Sequence, residues 1–131
     1  MALTSPQKRG YLARLTRAQV NAGVIAVPRS PGRIYTVVDG WMRAIGGAVT
    51  SNTSIDVTDD TTGTIAMSFE QAGLAENAVL RAGASNTTVT GLNTALAQGE
   101  GIKVANVGTA ISIATYVDVY IEYMVSSVQA A

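Results

Sequence analysis

The sequence contains no cysteine and no histidine. Without cysteine, neither a disulfide framework nor a thiol nucleophile nor a cysteine-based metal site can form. Without histidine, the chain lacks the commonest general base near neutral pH, the base of serine triads and the commonest zinc ligand. Enzyme chemistry would have to use carboxylates, lysine or tyrosine. We therefore expect a protein that is not an enzyme, with no cofactor and no metal site.

Charged residues make up only 14% of the chain and aromatic residues 5%, whereas roughly 25% of a typical globular protein is charged. The hydrophobic content is 47%, enough for one domain of 131 residues to bury a core. Such a surface favours an oligomer or a permanent partner, although Thr, Ser, Asn and Gly could keep a monomer soluble. No apolar run approaches the about 20 residues of a membrane span, and no export signal is evident. We expect a soluble protein.

The net charge of zero conceals a strong asymmetry along the chain. Seven of the nine basic residues precede Ala44, and eight of the nine acidic residues follow it. Asymmetry of this kind bears on association with partners more than on the fold. The sequence therefore predicts an adhesive front segment attached to a compact rear.

Residues 1–33 hold all three prolines and most of the basic charge. They are interpreted as a basic, extended N-terminal arm, and residues 34–131 as the folded domain, which we expect to fold without residues 1–29. The Pro28-Arg29-Ser30-Pro31-Gly32 segment supports a boundary because proline and glycine both interrupt regular structure. Residues 12–20 fit neither a helix nor a strand cleanly. The arm residues predicted to bind a partner are Lys8, Arg9, Tyr11, Leu12, Arg14, Leu15, Arg17, Arg29 and Arg33.

From residue 34 onward, short β-rich segments alternate with Gly, Asn, Asp, Ser and Thr. Residues 34–38 and 41–45 flank Asp39-Gly40 and form either a hairpin or one bent strand. Residues 55–58 and 65–69 indicate a hairpin, and strands are predicted within 73–82, over 101–108 and over 116–125. About eight strands with closely spaced turns predict an all-β fold, a β-sandwich with jelly-roll or Greek-key connections.

The last strand alternates apolar with polar or aromatic residues, which predicts one buried and one outward face. Its outward residues are a possible oligomer or partner face: Tyr116, Asp118, Tyr120 and Glu122. Trp41 is interpreted as a core residue, with a sugar-stacking platform formed with Tyr35 as the alternative.

Other patterns have ordinary structural interpretations. Asp56, Asp59 and Asp60 are interpreted as turn formers, with a hard-cation site as the alternative. The basic arm offers only Tyr11 for stacking, so we do not expect direct nucleic-acid binding. Contact with an acidic protein surface explains the same residues, and a solvated flexible tail is the third interpretation.

The segment LAQGEGIKV at residues 96–104, the GTA at 108–110 and the long last strand resemble jelly-roll domains of assembling trimers. Together with RIYTVVDG at 33–40 and the Ala/Gly/Thr-rich composition, the chain resembles small virion proteins of tailed bacteriophages, in particular head decoration (cement) proteins. The resemblance covers about residues 33–128.

This resemblance implies a homotrimer, made in the host cytoplasm, that sits on the capsid exterior. It implies that extended termini grip the major capsid protein and that the protein stabilises the head. Two alternatives stay open: a trimeric module of the C1q or tumour-necrosis-factor type that binds a receptor or glycan, and another virion component such as a tail or neck subunit.

Overall fold

The computed structural model describes residues 2–3, 7–50, 52–70, 74–84, 87–89 and 91–129. The described part of the chain is nearly all β, with one six-residue helix, and two antiparallel sheets pack against each other. The prediction of an all-β sandwich is therefore confirmed. The elements are β1 (Ala2–Leu3), β2 (Gln7–Thr16), α1 (Arg17–Ala22), β3 (Val24–Val27), β4 (Arg33–Ile45), β5 (Asn52–Asp59), β6 (Ile65–Glu70), β7 (Val79–Arg81), β8 (Thr87–Thr88), β9 (Ile102–Gly108) and β10 (Tyr116–Gln129).

The first sheet has the order β2–β10–β4–β7. The short strand β1 also pairs with β10, beyond the residues of β10 that pair with β2. The second sheet has the order β3–β9–β5–β6–β8. In both sheets the strands pair in a nested way: β2 with β10, β3 with β9, β4 with β7, and β5 with β6. After the β5–β6 hairpin, the strands β7, β9 and β10 therefore pair with β4, β3 and β2, which lie progressively nearer the N-terminus.

The structure corrects the interpretation of residues 1–33 as an arm outside the domain. β2 pairs with β10 over ten consecutive residues, from Gln7 opposite Val125 to Thr16 opposite Tyr116, and β3 pairs with β9. Side chains from this region lie in the core, including Leu15. The prolines at 28 and 31 mark the connection from the second sheet back to the first, so they end a strand without ending the domain.

Helix α1 joins the two sheets in the region where the sequence fits neither helix nor strand. The Thr16 side chain accepts a hydrogen bond from the Gln19 backbone N–H, and the Gln19 side chain accepts one from the Thr16 backbone N–H. This capping box satisfies backbone donors that the first turn would otherwise leave unpaired. Val20 is fully buried, and Gly23 ends the helix at φ 85°. Because the helix is only six residues long, its capping and one buried residue define it better than any periodicity.

Strand β4 resolves the alternative at Asp39-Gly40, because it is one bent strand and not a hairpin. Glu122 of β10 lies opposite Asp39, but the next residue, Tyr123, lies opposite Val37. Val38 is therefore the extra residue of a β-bulge, which shifts the side-chain alternation by one. A Cβ at Gly40 would lie 2.6 Å from the Tyr120 carbonyl oxygen, so only glycine fits where β4 meets β10.

The core lies between the two sheets, and its largest fully buried side chains come from both. The predicted hairpin at 55–58 and 65–69 is confirmed as β5 and β6, and the predicted strands at 101–108 and 116–125 are confirmed within β9 and β10. The strand predicted within 73–82 is limited to β7, and Gly73 lies outside the described residues. No helix in the described part of the chain is long and apolar enough to cross a membrane. Fully buried core residues include Phe69, Met42, Ile55, Met67, Ile102 and Ile121.

Candidate partner-binding face

One face of the first sheet points away from the core and gathers residues from four strands. On β10 the buried residues Val117, Val119 and Ile121 alternate with residues on this face. In register, Asp118 lies between Arg14 of β2 and Arg43 of β4, and Tyr120 lies between Leu12 and Trp41. We call this surface the outer face: Lys8, Gly10, Leu12, Arg14, Trp41, Arg43, Val79, Tyr116, Asp118, Tyr120 and Glu122.

The outer face brings together residues that the sequence places in two separate groups. The residues of β10 that were predicted to form a partner face lie along the middle of the outer face. Three of the predicted arm residues, Lys8, Leu12 and Arg14, lie beside them on β2. Sequence reasoning alone misses this juxtaposition because it depends on pairing the first long strand with the last.

Asp118 is the electrostatic centre of the outer face, because arginines from both neighbouring strands donate to it. Arg14 donates from Nε to Oδ1 at 2.8 Å and from Nη2 to Oδ2 at 2.9 Å, and Arg43 donates from Nη2 to Oδ2 at 3.3 Å. The Asp118 side chain is only 2% exposed, although it belongs to the outward set. The hydrogen bonds from Arg14 lower the pKa of Asp118, and they outweigh the opposing effect of burial. The carboxylate is therefore held charged beneath the guanidinium groups.

Aromatic rings flank this charged centre on both sides. The Arg14 guanidinium lies 5.6 Å from the centroid of the Tyr116 ring, within the range of a cation–π contact. The Trp41 and Tyr120 rings stack with centroids 5.9 Å apart and an interplanar angle of 22°. A Cβ at Gly10 would collide with Tyr120 Oη, so the absence of a side chain there lets the Tyr120 ring lie across β2.

The interpretation of Trp41 as a core residue is corrected by this stack. Trp41 is partly exposed on the outer face, while its neighbours Met42 and Ala44 are fully buried. Tyr35 points to the other side of the sheet, where its ring meets Tyr123 edge-on at 5.4 Å. The two residues therefore cannot form one sugar-stacking platform. The sequence signal was the alternation of Trp41 and Arg43 with smaller apolar residues, which places both on the outward side.

Apolar residues complete the outer face. Leu12 is 56% exposed and Val79 is 48% exposed, and they lie on β2 and β7, toward opposite edges of the sheet. Tyr, Trp and Arg are the residue types enriched at protein interfaces, where they combine large contact area with a polar group. The outer face has this composition, with its charges already paired.

The remaining predicted arm residues lie elsewhere. Leu15 is in the core, so its side chain is not available to a partner. Arg17 donates to the Ser112 carbonyl, and Arg33 begins β4 opposite Ser127. Arg9 and Tyr11 are exposed on β2, and Arg29 pairs with Asp60.

Ion pairs within the fold join the basic part of the sequence to the acidic part. Basic residues of the first third pair with acidic residues that follow in the chain: Lys8 with Glu122 at 2.5 Å, Arg14 with Asp118, and Arg29 with Asp60. The two halves of the charge dipole thus meet across strand pairs and loop contacts. A basic front segment available as a whole to an external acidic surface is not what the structure shows.

The three aspartates of this region all accept hydrogen bonds, but of the three only Asp59 bonds the backbone of the β5–β6 turn. Asp56 lies within β5, so its interpretation as a turn former is wrong. Asp59 accepts from the backbone N–H groups of Thr62 and Gly63, each at 2.8 Å. Burial raises the pKa of Asp59, but hydrogen bonds from Thr62 and Gly63 lower it more, so the net shift is downward. Asp60 accepts from the Gly101 backbone at 3.2 Å, and Asp56 accepts from two serine hydroxyls. Within the described residues, no group of three or more acidic side chains is placed to hold a metal ion.

One pocket of about 130 Å³ lies beside this turn, against the loop that precedes β9. Its only charged lining residue is Asp59, whose carboxylate oxygens already accept hydrogen bonds from the turn. The pocket therefore offers little polar chemistry to a ligand. Its lining residues are Asp59, Thr62, Thr64, Ile65, Gly91, Thr94, Ala95, Leu96 and Ala97.

No protein-family model and no curated protein matches the chain. The nested strand order and the outer face are therefore the observations from which a function can be inferred.

Proposed function

We propose that the chain is a structural virion protein, a head decoration or cement protein of a tailed bacteriophage that binds the outer surface of the capsid and stabilises it. The observation that carries this proposal is the strand order. Nested pairing of the first strand with the last, in sheets ordered β2–β10–β4–β7 and β3–β9–β5–β6, is the order expected of a jelly roll. Jelly rolls recur in viral capsid proteins and in lectins.

The outer face supports a binding role for this body. Its Arg14–Asp118 and Lys8–Glu122 pairs join β2 to β10, and its Trp41–Tyr120 stack joins β10 to β4. Side chains fixed in this way lose little conformational entropy when a partner binds. In this proposal the face contacts the major capsid protein as a preorganised surface and not as a flexible tether.

Stabilisation of the head would then be mechanical. A stiff β-sandwich that contacts two capsid subunits holds them together against internal pressure, and a homotrimer multiplies the contacts. Linked contacts raise the effective concentration, so weak individual contacts become long-lived together. Light scattering of the purified chain tests the trimer, which has a mass three times the 13.5 kDa of one chain.

The test of the proposal is co-sedimentation of the purified chain with phage heads that lack their decoration protein. We expect the wild-type chain to bind at saturable stoichiometry and to raise the temperature at which the heads lose DNA. The variant Val79→Asp places a charge on the outer face and should bind less. Ile113→Asp is the matched control, because Ile113 is 55% exposed and lies in the loop before β10. Failure of the wild-type chain to bind any such heads would contradict the proposal.

The partly exposed aromatic stack favours one alternative, a receptor- or glycan-binding module of the C1q or tumour-necrosis-factor type. Rings on a sheet face can stack on sugars, and Trp41 and Tyr120 lie on such a face. Each ring already covers one face of the other, which reduces the area left for a ligand. Binding to a glycan array that Trp41→Ala abolishes, without binding to heads, would support this alternative.

A further inference from the structure

The outer edge of β2 is a long and regular strand edge. Within the described parts of the chain, β2 pairs only with β10, and the pairing runs for ten residues without a register shift. The backbone groups on the other side of β2 are therefore open to another strand. Unpaired edges of this kind are templates for strand addition.

The usual means of blocking an edge are weak here. Proteins protect edge strands with proline, bulges or charged side chains. Residues 7–16 contain no proline, and their pairing contains no bulge. Two of the three basic residues of β2, Lys8 and Arg14, form ion pairs with acidic residues of β10. At the centre of the strand, Tyr11 and Leu12 are 44% and 56% exposed.

We propose that β2 pairs antiparallel with β2 of a second copy of this chain, about a two-fold axis that passes through Leu12. In this register the numbers of two opposite residues, one from each copy, add up to 24. Leu12 then contacts Leu12, and the strands overlap over residues 8–16, up to the start of α1.

Charge selects this register over its neighbours. With Leu12 at the centre, Lys8 lies opposite Thr16, Arg9 opposite Leu15 and Arg14 opposite Gly10, so no like charges face each other.

The neighbouring registers are less favourable. A centre at Tyr11 places Lys8 opposite Arg14 twice. A centre at Ala13 shortens the overlap to residues 10–16 and brings Arg9 toward Arg17, the first residue of α1, at both ends. Like charges directly opposite are destabilising in a sheet.

The consequence is a first sheet that continues from one copy into the other. A two-fold axis perpendicular to the sheet keeps the outer faces of both copies on the same side, because side chains directly opposite share a face. This inference does not depend on capsid binding. If the protein is also a trimer, the edge contact links neighbouring trimers.

The absence of cysteine makes a sharp test possible, because any single-cysteine variant can form only an intermolecular disulfide. Opposite residues of an antiparallel pair have Cα atoms about 4.5–5.5 Å apart, which is within disulfide range. We therefore expect mild oxidation to shift most of the L12C chain to a two-chain band on a non-reducing denaturing gel.

K8C is the matched control on the same strand and the same face. The Lys8 side chain is 63% exposed, comparable with Leu12, but the two copies of residue 8 would lie about 26 Å apart along the paired strands. K8C should therefore stay in the one-chain band. A lack of cross-linking in L12C, or equal cross-linking in both variants, would overturn the proposal. Neither result would bear on capsid binding, which co-sedimentation measures separately.

Discussion

Arg14 and Asp118 are joined by two parallel hydrogen bonds although 104 positions separate them in the chain. The pair ties the first long strand to the last and lies at the centre of the outer face. It links the fold to the proposed binding surface, because the same contact closes the sheet and fixes the side chains that a partner would meet.

Replacing Asp118 should measure how much this contact contributes to stability. Asp118→Asn keeps the shape of the side chain but removes the charge that Arg14 and Arg43 share. We expect the free energy of unfolding to fall by about 1–3 kcal/mol, the usual range when a buried hydrogen-bond partner is impaired. Chemical denaturation measures the change. Glu76→Gln is the control, since Glu76 is exposed; equal stability of D118N and wild type would show that the pair is energetically neutral.

Stability should fall in acid because the folded state holds several carboxylates in charged form. The pKa of Asp118 is lowered by hydrogen bonds from Arg14, and the pKa values of Asp59 and Asp60 are lowered by hydrogen bonds that outweigh burial. A lowered folded-state pKa gives stability that is fully present above the ordinary carboxyl value of about 3.9 and is lost as pH falls below it.

Denaturation midpoints measured between about pH 6 and pH 2 should therefore drop mainly below about pH 4. The drop should be smaller in D118N, which has lost one of the contributing carboxylates. A midpoint that stays constant down to pH 2 would contradict the assignment of charged, hydrogen-bonded aspartates.

Gly10 should control the aromatic stack. An alanine Cβ there would collide with the Tyr120 ring, so Gly10→Ala should push that ring off Trp41. Because Trp41 is the only tryptophan, its fluorescence reports the stack directly, and we expect a red-shifted emission with a stability loss of about 1–3 kcal/mol.

Tyr11→Ala is the control for this experiment. It changes the next position on β2, whose side chain lies on the other side of the strand from Gly10. Its emission should match wild type. An unchanged spectrum in G10A would mean that Tyr120 can accommodate the extra methyl group without leaving Trp41.

Removing residues 1–29 should prevent folding, in contrast to the expectation from sequence that the domain folds without them. The deletion takes away β2, α1 and β3, which supply Leu15, Val20 and Val27 to the core, and it exposes one edge of β10. Circular dichroism should show loss of the β spectrum and of a cooperative melt. Removal of residues 1–6 is the control, because β1 is the only described element it deletes. A cooperative melt of the chain 30–131 would revive the arm interpretation.

The sequence predicted the fold class and the strands whose two faces differ most. In β10, Val117, Val119 and Ile121 alternate with Asp118 and Glu122, and the first set lies in the hydrophobic core. The β5–β6 hairpin was predictable for the same reason, since alternation and turn residues are local signals.

What the sequence did not reveal depends on which strands pair. Ala13 and Leu15 alternate with Arg14 and Thr16, a strand signal that the surrounding basic residues obscured. Whether Asp39-Gly40 made a hairpin or a bend was decided by β10, which lies along the whole of β4 and needs a bulge there. The outer face could not be predicted as a unit because its residues meet only when β2 and β4 flank β10.

The nested pairing also sets the timing of folding during synthesis. β2 leaves the ribosome well before its partner β10, because the other strands from β3 to β9 lie between them in the chain. Translation adds about 5–20 residues per second, so the first strand waits several seconds without its neighbour. The first sheet can therefore close only after β10 has been synthesised, and a product that terminates before β10 lacks the strand that pairs with both β2 and β4.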